Sequence, residues 1–174
     1  RVGMVSSNVP KKGIADFAEI ARRVAADAPD IEFLLIGPQH EHTEALEAQI
    51  AAGTLPKSLK IAGYRDTPAQ AIDELDLVLS LSHFQESFGR TVLAAMAAGR
   101  PVIAYDHGAP PELVLSGKTG HEVPFGDTEA VAAHILAYGR ARKPLLVDGL
   151  RAAEHAEAAF GRTAYNAAMA EAYA

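Results

Sequence analysis

Short apolar runs alternate along this chain with segments whose apolar residues recur every three or four positions. Val2-Gly3-Met4-Val5-Ser6 is an apolar run ending in the polar loop Ser7 to Gly13. From Ile14 to Asp27, residues Ile14, Phe17, Ala18, Ala21, Val24 and Ala25 fall on one side at helical spacing. Pro29-Asp30 breaks that helix, and Ile31 to Ile36 reads as a buried strand stopped by Gly37-Pro38. A charged helix is predicted from about Thr43 to Ala52, then a weaker strand over Leu59 to Ala62 that ends at Gly63. Thr67-Pro68 opens the next helix, with Thr as cap and Pro in the first turn. Leu77 to Leu81 is a central strand, followed by a helix from about Phe88 to Ala98 and a strand from Pro101 to Tyr105. Pro110 to Leu115 reads as a short helix, Gly120 to Val123 as a short final strand, and Thr128 to Tyr138 as a helix. The tail from Pro144 to Tyr173 is Ala-rich and helical, interrupted near Gly161.

Strand and helix in strict alternation imply a parallel sheet wrapped by helices. The expected fold is α/β: one Rossmann-like, doubly wound parallel sheet of about six strands with helices on both faces. Ligands of such sheets bind beyond the carboxyl ends of the strands. The loops Ser7–Gly13, Gly37–His42, Gly63–Thr67, Ser82–Gly89 and Asp106–Pro111 all follow strands and should gather on one edge. Of these, Ser82–Gly89 carries the plainest chemistry. Glu86 stands just before the predicted helix, whose first N–H groups have no partner inside the helix. Those groups and the helix dipole suit an anion such as a diphosphate, and a neighbouring acid suits sugar hydroxyls.

Composition narrows the function. The 174 residues are enough for one domain with a sizeable core, and 49% hydrophobic with 22% charged residues is ordinary for a globular protein. A net charge of −6 argues against nucleic acid as a partner. There is no cysteine, so disulfides and thiolate zinc sites are impossible and a reducing compartment is compatible. No apolar run is long enough to span a membrane, and Arg1-Val2-Gly3 does not resemble a signal peptide. Because Arg1 already begins a strand-like segment, the chain is expected to be a piece of something longer. His40-Glu41-His42 looks like a metal pair only superficially, with no evident third ligand.

The loops together resemble a known pattern. Its markers are Pro10-Lys11-Lys12-Gly13; Phe33-Leu34-Leu35-Ile36-Gly37; Gly63-Tyr64-Arg65-Asp66; Glu86-Ser87-Phe88-Gly89; Ala95 to Ala104; and Glu112-Leu113-Val114 with Gly117-Lys118-Thr119-Gly120. In this order and spacing they resemble the C-terminal, donor-binding domain of a retaining glycosyltransferase of the GT-B architecture, family 4 type. The resemblance covers nearly the whole chain. It implies that residues 1–174 bind the nucleotide sugar, with C-terminal helices from about 144 to 174, and that an N-terminal acceptor domain is absent. It implies a nucleoside-diphosphate sugar as donor, no cofactor and no metal. It also implies a cytoplasmic protein, with any contact to the inner face of a membrane or to the acceptor made by the missing domain.

The resemblance carries over residue by residue. Lys12 neutralises the leaving diphosphate, and Glu86 binds the hydroxyls of the donor sugar. The N–H groups of Phe88 and Gly89 lie near that sugar, and Gly13 closes the lysine loop. Tyr64 and Arg65 line the base pocket, where Arg65 can stack on the base. Arg90 and Thr91, in the first turn of the helix, are placed to reach phosphate. Glu112 is expected to order its loop, and His83 to be structural.

Two positions depart from the pattern. Ser7 stands where an arginine usually makes a second phosphate contact, and Ala94 stands where a second acid usually holds the ribose. The ribose is then held differently, the donor is unusual, the site is weakened, or the residue was engineered. A non-catalytic scaffold descended from such a domain is therefore the rival reading, and a sugar epimerase or phosphorylase of the same architecture a weaker one. The isolated fragment is expected to be inactive. Phe160, Tyr165, Met169 and Tyr173 form a stripe that either packs on this domain or stays exposed for another domain or molecule.

Overall fold

The computed structural model describes residues 1–173. Six parallel strands form one sheet: β1 (Val2–Val5), β2 (Phe33–Ile36), β3 (Leu59–Gly63), β4 (Leu77–Ser80), β5 (Val102–Tyr105) and β6 (Gly120–Val123), in the order β3-β2-β1-β4-β5-β6. The helices are α1 (Ile14–Asp27), α2 (Glu41–Ala51), α3 (Pro68–Asp73), α4 (Arg90–Ala97), α5 (Pro110–Leu113), α6 (Thr128–Arg140), α7 (Arg142–Phe160) and α8 (Arg162–Ala172). Alternate strand residues feed two cores, one on each face. Val2, Met4, Phe33, Leu35, Leu77 and Leu79 pack with α1 and α6, where Phe17 meets Phe33 edge to face at 5.7 Å. Leu34, Ile36, Val78, Val102 and Ala104 pack with α3, α4 and the second half of α7. This is the doubly wound sheet that the alternation predicts.

Several boundaries differ from the sequence reading, each for a local reason. Helix α4 starts at Arg90 rather than Phe88, because Gly89 at φ +74° cannot belong to a right-handed helix. Helix α2 starts at Glu41, two residues early, because the Thr43 hydroxyl accepts the His40 N–H at 2.9 Å and seals the first turn. Helix α7 starts at Arg142, since Pro144 in its first turn has no N–H that the helix needs. The lysine loop contains a 3-10 turn over Pro10–Lys12, closed by the Gly13 N–H on the Pro10 carbonyl at 3.0 Å. In the tail, Phe160 packs against the second core, whereas α8 buries none of its residues, and Tyr165, Met169 and, just after the helix, Tyr173 are exposed.

At the sheet's outer edge, His121 on β6 stacks on His134 of α6, with ring centroids 3.8 Å apart and planes 18° apart. Burial holds both imidazoles below their ordinary value of 6.5, and for His121 the neighbouring His134 adds to the effect. The unfolded chain therefore takes up protons that the folded chain refuses. Stability from this pair is full above about pH 6.5 and is lost as pH falls through the lower, folded values. Thermal melts across this range should show a falling midpoint that flattens when both positions carry phenylalanine.

Candidate active site

The cleft lies at the switch point of the sheet, between β1 and β4. These strands pair only at Val2 with Leu77 and Gly3 with Val78, then part. Their diverging ends, Met4 to Ser7 and Val78 to Ser82, line a cavity of about 260 Å³. Chains wound in opposite directions from this point leave such an opening in any sheet of this order. The loops after the strands meet over it, as expected. The His83 N–H donates to the Lys11 carbonyl at 2.8 Å, and the Ala109 N–H to the Glu86 carbonyl at 2.8 Å. The Gly37 N–H donates to the Gly63 carbonyl at 3.0 Å, and a ring nitrogen of His40 lies 3.1 Å from the Ser7 carbonyl.

Across the opening, the Lys12 ammonium is ion-paired and hydrogen-bonded to the Glu86 carboxylate. Their side chains are 24% and 27% exposed, so the pair is partly desolvated yet open to a ligand. An ammonium has three donors and Glu86 takes one, so Lys12 keeps capacity for a second anion. Beside the pair begins α4, with no side-chain cap. Its first internal hydrogen bond runs from the Leu93 N–H to the Gly89 carbonyl, so the N–H groups of Arg90, Thr91 and Val92 have no partner among the described residues. Such groups suit an anion by geometry and by dipole.

The structure thus brings together Ser7, Lys12, Glu86, Gly89, Arg90 and Thr91 as cleft lining. Gly13 stands behind the lining at φ +79°, against the Leu81 carbonyl. Phe88 points its ring outward, 51% exposed, and is not part of the lining. Tyr64 and Arg65 line a separate, smaller cavity of about 120 Å³ that shares Val5 with the main cleft. Tyr64 is 67% exposed. The Arg65 guanidinium is already held by both oxygens of Glu74, one bond measuring 2.9 Å, and by the Ala62 carbonyl at 2.7 Å. The arginine holds the Glu74 carboxyl below the ordinary carboxylate value. Ala94 lies outside the cleft lining, packed against the second core. Glu112 is exposed and its carboxylate takes no hydrogen bond among the described residues; the loop it was expected to order is held by the Ala109 to Glu86 bond. No group of three or more candidate metal ligands occurs among the described residues.

Asn8 escaped the sequence reading. Among the described residues it is the only non-glycine with positive φ, at +55°, and it is fully buried. Its N–H donates to the Ser6 hydroxyl, that hydroxyl donates to its side-chain oxygen, and its amide donates to the Pro38 carbonyl, at 3.0, 3.0 and 3.2 Å. It thus turns the chain out of β1 toward the lysine loop. Its only sequence signal is that asparagine tolerates this conformation better than most residues. Asn8→Ala should cost about 3 kcal/mol in urea unfolding, from backbone strain and a lost buried network. Asn8→Gly, which relieves the strain, should cost less.

Fold and cleft define an open doubly wound α/β domain with a lysine–carboxylate pair beside a bare helix amino end at its switch point. The family model for glycosyl transferases group 1 matches residues 1–139, and the chain belongs to that family. Phosphatidyl-myo-inositol mannosyltransferase of Mycobacterium leprae is 33% identical over 130 residues, 74% of this chain and 34% of that protein. The 2-deoxystreptamine N-acetyl-D-glucosaminyltransferase of Niallia circulans is 30% identical over 126 residues, 70% of this chain and 31% of that protein. The crystal structure of Anabaena Alr3699/HepE in complex with UDP superposes with a TM-score of 0.87 at 27% identity. It covers 99% of this chain and 48% of that one. The chain spans about a third of the length of the relatives it matches. No helix among the described residues is long and apolar enough to cross a membrane.

Proposed function

We propose that this chain is the donor-binding half of a retaining glycosyltransferase. It holds a nucleoside-diphosphate sugar, and the sugar passes to an acceptor carried by a second domain. The observation that carries this reading is the Lys12–Glu86 pair beside the uncapped start of α4. Glycosyl transfer builds negative charge on the departing diphosphate. A fixed ammonium and aimed N–H groups stabilise that charge most where it is fully developed, so they lower the barrier rather than merely bind substrate. Glu86 accepts hydrogen bonds from the sugar hydroxyls and holds Lys12 in place before the donor arrives. Arg90 and Thr91 flank the phosphates, and Ser7 adds one hydroxyl donor. Tyr64 and Arg65 border the base, with Arg65 presenting the face that its bonds to Glu74 leave open. The reaction needs no cofactor beyond its donor. The UDP and UDP-glucose complexes of HepE support a nucleotide sugar as ligand.

Ala94 favours a second reading, a domain that has kept the fold and lost the donor. Titration of the chain with UDP, GDP and their hexose conjugates decides between the two. Binding that weakens in Lys12→Ala, and sugar-dependent binding that is lost in Glu86→Ala, supports the transferase. No binding of any of these nucleotides by the unaltered chain overturns it.

A further inference from the structure

Asp16 sits in the first turn of α1, four residues after Lys12, with its side chain 20% exposed. One carboxylate oxygen accepts the Tyr105 hydroxyl at 2.7 Å and the His83 ring N–H at 2.8 Å. Tyr105 is buried at the end of β5; burial first, and then this carboxylate, hold its phenol well above the ordinary value, so it remains a donor. Phe125 lies edge-on to both rings, 5.2 Å from His83 and 5.5 Å from Tyr105. None of these side chains lines the cleft. A favourable charge at the start of α1 would need neither partner. Here one carboxylate instead ties the helix that follows Lys12 to the loop that carries Glu86, three residues before that acid. The backbone bond from His83 to Lys11 fixes the same two loops at a second point. The two ties start from different residues, Lys11 and Asp16, and converge on the backbone and the ring of His83, so together they fix both its position and its orientation.

Resting on the donor-site reading above, we propose that Asp16 is a positioning residue. Through His83 it sets the distance between the lysine loop and the glutamate loop, with its carboxylate held in place by Tyr105 of β5, and so aims the Lys12 ammonium at the diphosphate. It touches no part of the donor itself.

NMR titration of the chain with UDP, which reads even millimolar dissociation constants, tests this. Asp16→Ala should weaken UDP about tenfold at a temperature where the variant is fully folded. Tyr105→Phe, which keeps the buried ring and removes only the hydroxyl, should weaken it about threefold. In a Lys12→Ala background neither change should weaken binding further, because the effect runs through the lysine; a merely structural role would not show this dependence. Unchanged UDP affinity in both variants, or losses that simply add to that of Lys12→Ala, overturns the inference while leaving the donor reading intact. Failure of the unaltered chain to bind UDP or GDP overturns the donor reading and this inference with it.

Discussion

Lys12→Ala should lower the affinity of the chain for UDP or GDP about a hundredfold, the value of one lost charge-assisted contact in a partly dry cleft. Three features set this size. The ammonium lines the cavity beside the bare start of α4, and Arg90, the other cation in the lining, is exposed to screening solvent. Ser7, also in the lining, brings a hydroxyl and no charge, so the exposed Arg90 is the one cation left among the lining residues. The truncation also leaves the Glu86 carboxylate unpaired beside the proposed diphosphate site, and like charges repel. Glu86→Ala should behave differently. It frees Lys12, so UDP itself should bind about as well as before, while a UDP-hexose or GDP-hexose loses the advantage of its sugar. Isothermal titration with each nucleotide and its conjugate separates the two roles. Equal affinity of Lys12→Ala and the unaltered chain for UDP would refute the assignment.

The second large effect is structural. Gly13→Ala should destabilise the domain by roughly 3 kcal/mol, read as a shift in the urea midpoint. Gly13 holds φ +79° between the 3-10 turn and α1, where a side chain is strained in any surroundings. A Cβ there would stand 2.0 Å from the Leu81 carbonyl oxygen, and that oxygen belongs to the backbone just after β4, which cannot swing aside. The chain can accommodate the methyl only by moving the lysine loop away from the strand end. Diphosphate binding should therefore fail along with stability.

The sequence made the strands plain because a parallel sheet covered on both faces needs near-continuous apolar runs, and Phe33 to Ile36 and Val102 to Tyr105 are such runs. Glycines and prolines marked most of the joints. The start of α4 differs by two residues because Phe88 is an acceptable helix former, and only the handedness at Gly89 excludes it. Lys12 and Glu86 lie 74 residues apart, so no local pattern could pair them; only the resemblance did. Asp16 was illegible for the same reason, since His83 and Tyr105 lie far along the chain, and Asn8 because its left-handed backbone and its bond to Pro38 appear only in the fold. Arg65 was expected to be free for stacking, yet a carboxylate nine residues on already holds it.

The seam between β1 and β4 has a mechanical meaning. Only two residue pairs stitch the two halves of the sheet there, and Lys12 and Glu86 stand on opposite sides of that line. Their ion pair, with the bond from His83 to Lys11, works as a clasp across the seam that has the fewest paired residues in the sheet. An anion gripped by both flanks would take over that duty, so stiffness of the whole sheet and occupancy of its mouth become one property.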